Sequence, residues 1–305
     1  MRLFITGASG FVGATTLRLA LQAGHVVAAP CKPGSAAPRL LEYEGRYERL
    51  MLDLRDADGL AAALADFKPD AVLHLAWWGV SNAARFDLAQ VSANVDVACA
   101  LTVAAAAAGA KAFIGIGSQG EYGAGTPMLE DQLPCPTSLY GAAKVASLFL
   151  TRQLADHAGM RHAWLRIFSS YGPDDNPDWL IPMLITQMLA GQRPRTTLGT
   201  QFWDWLYVDD VARAILSVAE TQSASGVFNL GSGQAVQVRS VIERIRDLAA
   251  PGMELVFGEV PFRPDQVMHL QADYSRLQNA TAWQPIVSIA DGLAATVAWY
   301  QARCA

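Results

Sequence analysis

Three side chains in the stretch "GSQGEYGAGTPMLEDQLPCPTSLYGAAK", residues 117–144, could together move a proton. Ser118 ends an apolar run, and Tyr140 stands four residues before Lys144 in a helical segment. That spacing puts phenol and ammonium on one helix face. A tyrosine with its ordinary pKa of about 10 is a poor proton donor or acceptor at neutrality. Bringing it to about 7 takes roughly 4 kcal/mol of preferential stabilisation of the phenolate, and a neighbouring ammonium is one source. The Ser118 hydroxyl can bond the same substrate oxygen as Tyr140. The two residues after the serine, Gln119 and Gly120, exchange no proton at a useful pKa.

A second constellation lies at the start of the chain. "FITGASGFVG" sets Gly7, Gly10 and Gly13 directly after a strand-like run and at the opening of a helix. The first glycine permits a tight turn, the second a close approach of backbone to a pyrophosphate, the third close helix–strand packing. Ser9, Phe11 and Val12 belong to the same turn, whose helix N-terminus would face the phosphates. The implied ligand is a nicotinamide dinucleotide, whose positive ring would also favour a tyrosine phenolate. A site for NAD usually offers a carboxylate at the end of the second strand. Here the segment reads "AAPCKPGS", with Cys31 near that position and Lys32 after it, which favours NADP and leaves NAD as the other choice. Asp53 and Leu54, after the third strand, stand where an adenine is held, although Asp53 also reads as a turn residue. Leu75 and Ala76, closing the fourth run "AVLHLA", complete the cofactor set.

These residues need a scaffold that gathers strand ends. The runs "RLFIT", "HVVAA", "RLMLD", "AVLHLA", "AFIGIGS", "HAWLRIF" and "VFNLG" read as buried strands. Helix-length segments such as "ATTLRLALQAG", "DGLAAALADF", residues 87–108 and "SLYGAAKVASLFLTRQLADHAG" alternate with them. That alternation predicts an α/β fold with a parallel sheet covered on both faces. The pattern breaks at the turn-rich "YGPDDNPDW". "WLYVDDVARAILSVAET" reads as a strand and helix returning to the first lobe, and residues from about 235 onward as a smaller lobe.

Bulk properties narrow the function classes. The chain has 305 residues, 52% hydrophobic and 17% charged, which excludes disorder. Net charge is −5 with no basic run, which argues against nucleic acid but not against a small anionic ligand bound by backbone N–H groups. The apolar run over residues 97–110 is too short to span a bilayer, so no membrane partner is expected. The N-terminal segment lacks the apolar core of a signal peptide, so a cytoplasmic location is expected. Cysteines at 31, 99, 135 and 304 show no C-x-x-C spacing and no histidine pair has ligand spacing, so no metal is expected.

The chain resembles the extended short-chain dehydrogenases/reductases, the nucleotide-sugar epimerase/dehydratase family. The resemblance runs nearly end to end, through "TGASGFVG", "LDLRD", "HLAWWG", Asn94, "GSQGEYG", "YGAAK", "RIFSSYGP", "WDWLYVDDVARA", "FNLGSG", "FRPDQV" and residues 272–300. It implies a Rossmann doubly wound parallel sheet with a smaller C-terminal α+β substrate lobe. Residues 1–170, with a returning segment at about 203–232, would form the nucleotide-binding domain. Residues 171–202 and 233–305 would form the sugar-nucleotide lobe. Ser118, Tyr140 and Lys144 would be catalytic, with Lys144 lowering the tyrosine pKa and holding the ribose. A homodimer through the helices around 87–108 and 138–157 is implied as well.

Within that family the residues after Ser118 discriminate between reactions. Dehydratases carry an acid/base pair where this chain has Gln119 and Gly120, so elimination of water is not expected. Gly120 also replaces the cysteine of members that couple epimerisation to reduction. Glu121 reads as structural. What remains is 4-ketoreduction or 4-epimerisation. "GSQGEYG" and "RIFSSYGP" look more like reductases of nucleotide-linked 4-keto-6-deoxyhexoses, and Lys32 leans towards an exchangeable NADP. A 4-epimerase with tightly held NAD is the alternative, and a non-catalytic NADP sensor the contrasting class. The resemblance points to Trp78, Gln119, Ser169, Trp203 and Arg263 as sugar-nucleotide contacts. Three positions depart from its pattern: Ser169 replaces an asparagine, Trp203 a phosphate-binding arginine and Gln266 an aspartate. Arg263 is then the expected diphosphate ligand, with Arg193 or Arg195 as substitutes. Either one of Trp77 and Trp78 would line the pocket or both would belong to the core, and His74 would sit in the core.

Overall fold

Short runs that are apolar at nearly every residue can be buried on both faces only in a parallel sheet layered between helices. The computed structural model describes residues 1–123, 128–263 and 266–304, and it has such a sheet. Its strands are β1 (Arg2–Thr6), β2 (Val26–Cys31), β3 (Glu48–Met51), β4 (Ala71–His74), β5 (Ala112–Ser118), β6 (Arg161–Ile167) and, later in the chain, β10 (Gly226–Leu230). Their order is β10-β6-β5-β4-β1-β2-β3, parallel throughout. This is the doubly wound Rossmann arrangement, with the strand order reversing between β1 and β4.

Alternate residues of each strand feed two cores. On one face, Leu3, Ile5, Leu73 and Ile114 meet α1 (Phe11–Gln22) and α6 (Val208–Glu220) through Leu17, Val211 and Ile215. On the other, Phe4, Val72 and Phe113 meet α2 (Ala57–Phe67), α3 (Asp96–Ala107) and α4 (Leu139–His157) through Leu64, Leu101 and Ala155. The long helix expected over residues 87–108 divides. A π-helical turn at Val91–Val95 precedes α3, and Asn94 lies in it. Single π-turns in helices often mark functional positions.

After β7 (Ser170–Tyr171), the chain forms α5 (Leu180–Leu189), β8 (Phe202–Asp204) and β9 (Leu206–Tyr207). β9 pairs with β7, outside the large sheet, and α6 then returns to α1 through an Arg18–Asp209 salt bridge of 2.6 Å. β11 (Ala235–Gln237) and β12 (His269–Leu270) flank β8 in a small sheet. With α7 (Val238–Ala249) and α9 (Ile289–Cys304), α5 encloses a third core around Ile185, Ile242 and Leu293. The C-terminal part is not wholly a separate lobe. Helix α8 (Ser275–Thr281) sends Leu277, and the turn after it Trp283, into the core of the large sheet. Asp210 explains that docking: its carbonyl accepts from Trp283 Nε1 at 3.1 Å and its carboxylate from Ile286 and Val287 N–H at 3.0 Å. Among the described residues no helix is long and apolar enough to cross a membrane.

A row of buried rings crosses the sheet: His74, Phe113, His162 and Trp164, with centroids 5.8–6.2 Å apart. Gly115 and Gly117 are the reason Trp164 can lie flat on β5, because a Cβ at either would overlap the indole. Adding a methyl group there overpacks the core. Gly115→Ala should therefore lower unfolding stability by about 1–3 kcal/mol, read as a lower urea midpoint at unchanged slope. Burial also keeps both histidines neutral, lowering their pKa values to about 3 for His74 and about 4 for His162. An unfolded histidine titrates near 6.5, so between about 4 and 6.5 the unfolded chain binds more protons and stability falls as pH falls. His162→Phe should flatten that acid limb by up to about 1.4 kcal/mol per pH unit, as measured by denaturant titrations at a series of pH values.

Candidate active site

The site forms at the carboxyl edge of the sheet, where β1, β4 and β5 end beside the reversal of strand order. The glycine turn is built for close approach. Gly7 has φ 71°, in the region that favours glycine, and a Cβ on it would overlap the backbone of Leu75 and Ala76. A Cβ on Gly13 would overlap the Gly7 carbonyl. A Cβ on Gly10, by contrast, would meet only the Gly7 oxygen, at a tight 3.2 Å. Helix α1 starts at this point with Gly10 as N-cap, no side-chain cap and no acid in its first turn. Its leading N–H groups are left for an anion, which fits the pyrophosphate of a dinucleotide. The structure thus brings Gly7, Gly10, Phe11, Gly13, Leu75 and Ala76 together. Val12 packs on the core, and the Ser9 carbonyl accepts from Arg39 Nη1 at 3.5 Å.

At the end of β2, Cys31 is buried and its thiol pKa is pushed up by burial, with the Arg49 guanidinium pulling it down. Lys32 is exposed. Asp53 is gripped by Arg55 through Nε at 3.0 Å and Nη2 at 2.6 Å. Those bonds hold its carboxyl far below the usual range, and Lys32 adds to the effect. Leu54 packs against the second core.

Ser118, the last residue of β5, and Tyr140, in the first turn of α4, come together around Gly120. Gly120 sits beside both: a Cβ there would lie 3.5 Å from Ser118 Oγ and 3.6 Å from Tyr140 Cε1. Lys144 follows one helical turn later, with its ammonium shared among several neighbours. Its Nζ donates to the Ile116 carbonyl at 2.6 Å and stands 3.5 Å from the Trp77 ring centroid, against 5.9 Å for Tyr140. This corrects the sequence-based electrostatics. The Tyr140 pKa is raised, chiefly by burial; the Ser118 side chain and the charge of Arg85 oppose the rise, and Glu121 adds to it. Lysine i+4 spacing sets the helix face, while the reach of the side chain decides which neighbour the ammonium meets. Burial lowers the Lys144 pKa, with Glu121 acting the other way.

The structure places Trp77, not Trp78, against these groups. Trp77 meets the Tyr140 ring edge-on at 6.0 Å and donates from Nε1 to Gln90 Oε1 at 3.0 Å. Trp78 is 45% exposed, and its backbone N–H and carbonyl are both tied to the Asn94 amide. Glu121 is fully buried, accepting from Ser118 N–H at 2.9 Å, Trp164 Nε1 at 3.0 Å and Arg166 Nε at 2.7 Å. It is structural, as expected, yet it anchors the backbone of Ser118, which sequence reasoning missed.

The expected sugar-nucleotide contacts are more dispersed. Gln119 follows Ser118 in a short 3-10 turn, and Ser169 lies between β6 and β7, where its carbonyl accepts from Leu206 N–H at 2.8 Å. Trp203 donates from Nε1 to the Val267 carbonyl at 3.2 Å and stacks near Trp205. Arg263 is exposed, and its carbonyl accepts from Gln266 N–H at 3.0 Å. Pro264 and Asp265 of "FRPDQV" lie outside the described residues. Arg193 is held by the Glu259 carboxylate at 2.5 and 3.0 Å, and Arg195 by the Glu259 carbonyl at 3.4 Å. Among the described residues no group of three or more His, Cys, Asp or Glu side chains could hold a metal ion.

Comparison with known proteins agrees with this geometry. A sequence model of the "NAD dependent epimerase/dehydratase family" matches residues 3–231. The chain is 31% identical to a dTDP-glucose 4,6-dehydratase of Streptomyces griseus, over 98% of its own length and 93% of the relative's. It is also 31% identical to a GDP-6-deoxy-D-mannose reductase of Pseudomonas aeruginosa, over 99% and 98%. A solved structure of a Bacillus cereus UDP-glucuronic acid 4-epimerase, in complex with UDP-glucuronic acid and NAD, superposes with a TM-score of 0.86 at 27% identity, covering 99% of this chain and 100% of that one. On the family match and the end-to-end relatives together, the chain belongs to the NAD dependent epimerase/dehydratase family of enzymes.

Proposed function

We propose that the protein is an NADPH-dependent reductase of a nucleotide-linked 4-keto-6-deoxyhexose, acting at sugar C4. The observation that carries this reading is that Ser118 Oγ and the Tyr140 ring meet at Gly120, with Gln119 and Gly120 following the serine in place of an acid–base pair. A single phenol serves one proton transfer to an oxygen, and no second acid–base group stands where elimination would need one. The absence of a carboxylate at Cys31, with Lys32 next to it, supports NADP. The reductase relative, matched along its whole length, supports the substrate class.

When bound, the nicotinamide supplies the hydride. Tyr140 Oη gives its proton to the C4 oxygen as that oxygen gains charge. The Ser118 hydroxyl orients the oxygen and bonds the phenolate that is left. The ammonium of Lys144, desolvated between Trp77 and the Ile116 carbonyl, holds positive charge at the site. Residues 1–170 and 203–232 would hold the dinucleotide and the remainder the sugar nucleotide, with Trp78, Gln119, Ser169, Trp203 and Arg263 as contacts. A second copy of the chain would cover Val103 on α3 and Phe149 and Leu150 on α4, which are exposed apolar side chains.

The 4-epimerase is the second reading, favoured by the NAD complex of the Bacillus cereus 4-epimerase. It would use the same Ser118, Tyr140 and Lys144. The two readings part on the cofactor. Denaturing the purified protein and identifying released nucleotides by mass spectrometry should yield NADP(H), or an empty site that takes up NADPH better than NADH. Near-stoichiometric NAD would replace the reductase with the epimerase. Under either reading Tyr140→Phe should lower kcat by about 10²- to 10⁴-fold while NAD(P)H fluorescence titrations show cofactor binding retained.

A further inference from the structure

A tyrosine that gives up its proton needs positive charge close to the phenolate. The Lys144 ammonium, 5.9 Å from the Tyr140 ring centroid, is shared with the Ile116 carbonyl and the Trp77 face. A second cation does approach it. The guanidinium carbon of Arg85 lies 5.7 Å from the Tyr140 ring centroid, on the segment between β4 and the π-turn. This placement is braced from several directions. Tyr140 N–H donates to the Arg85 carbonyl at 2.9 Å, so loop and helix move together. The fully buried Gln90 side chain ties the loop on itself, donating to the Gly79 carbonyl at 2.8 Å and the Ala84 carbonyl at 3.1 Å. The same Gln90 accepts from Trp77, whose ring touches both Tyr140 and Lys144. Arg85 Nε is buried with no hydrogen-bond partner among the described residues, so local bonding does not account for its orientation.

We propose that Arg85 is a positioning residue of the acid–base site: its guanidinium, jointly with Lys144, stabilises the ionised form of Tyr140. The groups that face Tyr140 are few. From the end of β5 comes the Ser118 hydroxyl, from the 3-10 turn after it the Glu121 carboxylate, from α4 the Lys144 ammonium, and from the loop after β4 Arg85 and the neutral Trp77. Glu121 opposes ionisation but is itself paired with Arg166 at 2.7 Å. The direction of the Arg85 effect, downward on the phenol pKa, agrees with the geometry. The inference rests on the reading of Tyr140 as the acid–base group.

The test reads ionisation rather than turnover. Tyr140→3,5-difluorotyrosine gives a single fluorine reporter whose phenol is intrinsically more acidic, so its titration falls where the protein is folded. Titrations followed by fluorine NMR would be compared in the parent, Arg85→Lys, Arg85→Gln and Arg85→Met. The neutral Arg85→Gln and Arg85→Met should raise the midpoint by about one unit or more, and Arg85→Lys should stay close to the parent. An unmoved midpoint in the neutral variants overturns the proposal. So does an equal rise in Arg85→Lys, which assigns Arg85 a packing role, or failure of both neutral variants to fold while Arg85→Lys folds, which assigns its charge to the fold rather than to Tyr140. Failure of the acid–base reading would show separately, as unimpaired turnover in Tyr140→Phe.

Discussion

The buried ion pair between Glu121 and Arg166 is the constraint on which the site depends. Glu121 is fully buried and Arg166 is 2% exposed. Taking two charges out of water is offset only where every lone pair and N–H finds a partner, and removing one partner of such a pair costs about 3–5 kcal/mol. Here the partners are the site's own scaffold. The Glu121 carboxylate takes the Ser118 N–H and the Trp164 indole as well as Arg166. Arg166 in turn lies over the Tyr122 ring at 4.3 Å, and the Tyr122 hydroxyl donates to Asn229 on β10 at 2.6 Å. Three strands, β5, β6 and β10, are thus tied together directly beneath the residue that ends β5. Ser118 inherits its position from that network. Electrostatics follow from it too, because the same carboxylate opposes ionisation of Tyr140 and favours the charged form of Lys144.

Much of this was legible in the sequence wherever the physics is local. A glycine turn between strand and helix carries its own geometric demand, so Gly7 and Gly13 could be read as the positions where a side chain would collide with backbone. Apolar runs of strand length identified all seven strands of the large sheet. The strand end at Ser118 was legible too, and it lies beside Tyr140 at Gly120. What was not legible depends on partners distant in sequence. Arg166 is 45 residues from Glu121, and nothing in "GSQGEYG" announces which cation will meet its glutamate. Helix α8 reads as part of a C-terminal lobe, but Asp210 and Trp283 dock it on the large sheet. Loop residues 77–90 have no periodicity, so neither the placing of Trp77 over Trp78 nor the approach of Arg85 could be anticipated.

The same distinction separates the two halves of the site. The dinucleotide half is made largely of backbone: glycines without side chains, an uncapped helix end and the close passage of Leu75 and Ala76. Backbone geometry tolerates few substitutions, which is why it can be read from residue types. The sugar-nucleotide half is made of side chains, and here this chain replaces an expected cation with Trp203 and commits Arg193 to Glu259. Trp203 hydrogen-bonds the Val267 carbonyl and lies 5.8 Å from Trp205, so it braces the segment behind Arg263 rather than offering charge. Under the proposed reading, a pocket whose expected phosphate cation has become an indole would bind more through shape and stacking and less through ion pairing. Discrimination by shape alone is modest, roughly 1–3 kcal/mol per methylene group, whereas a buried polar group left unpaired by the wrong sugar discriminates far more strongly. Under the proposed reading, selectivity among sugars falls to polar groups close to C4, for which Ser118, Gln119 and Tyr140 are the candidates, so the residues proposed for the chemistry would also carry much of the choice of substrate.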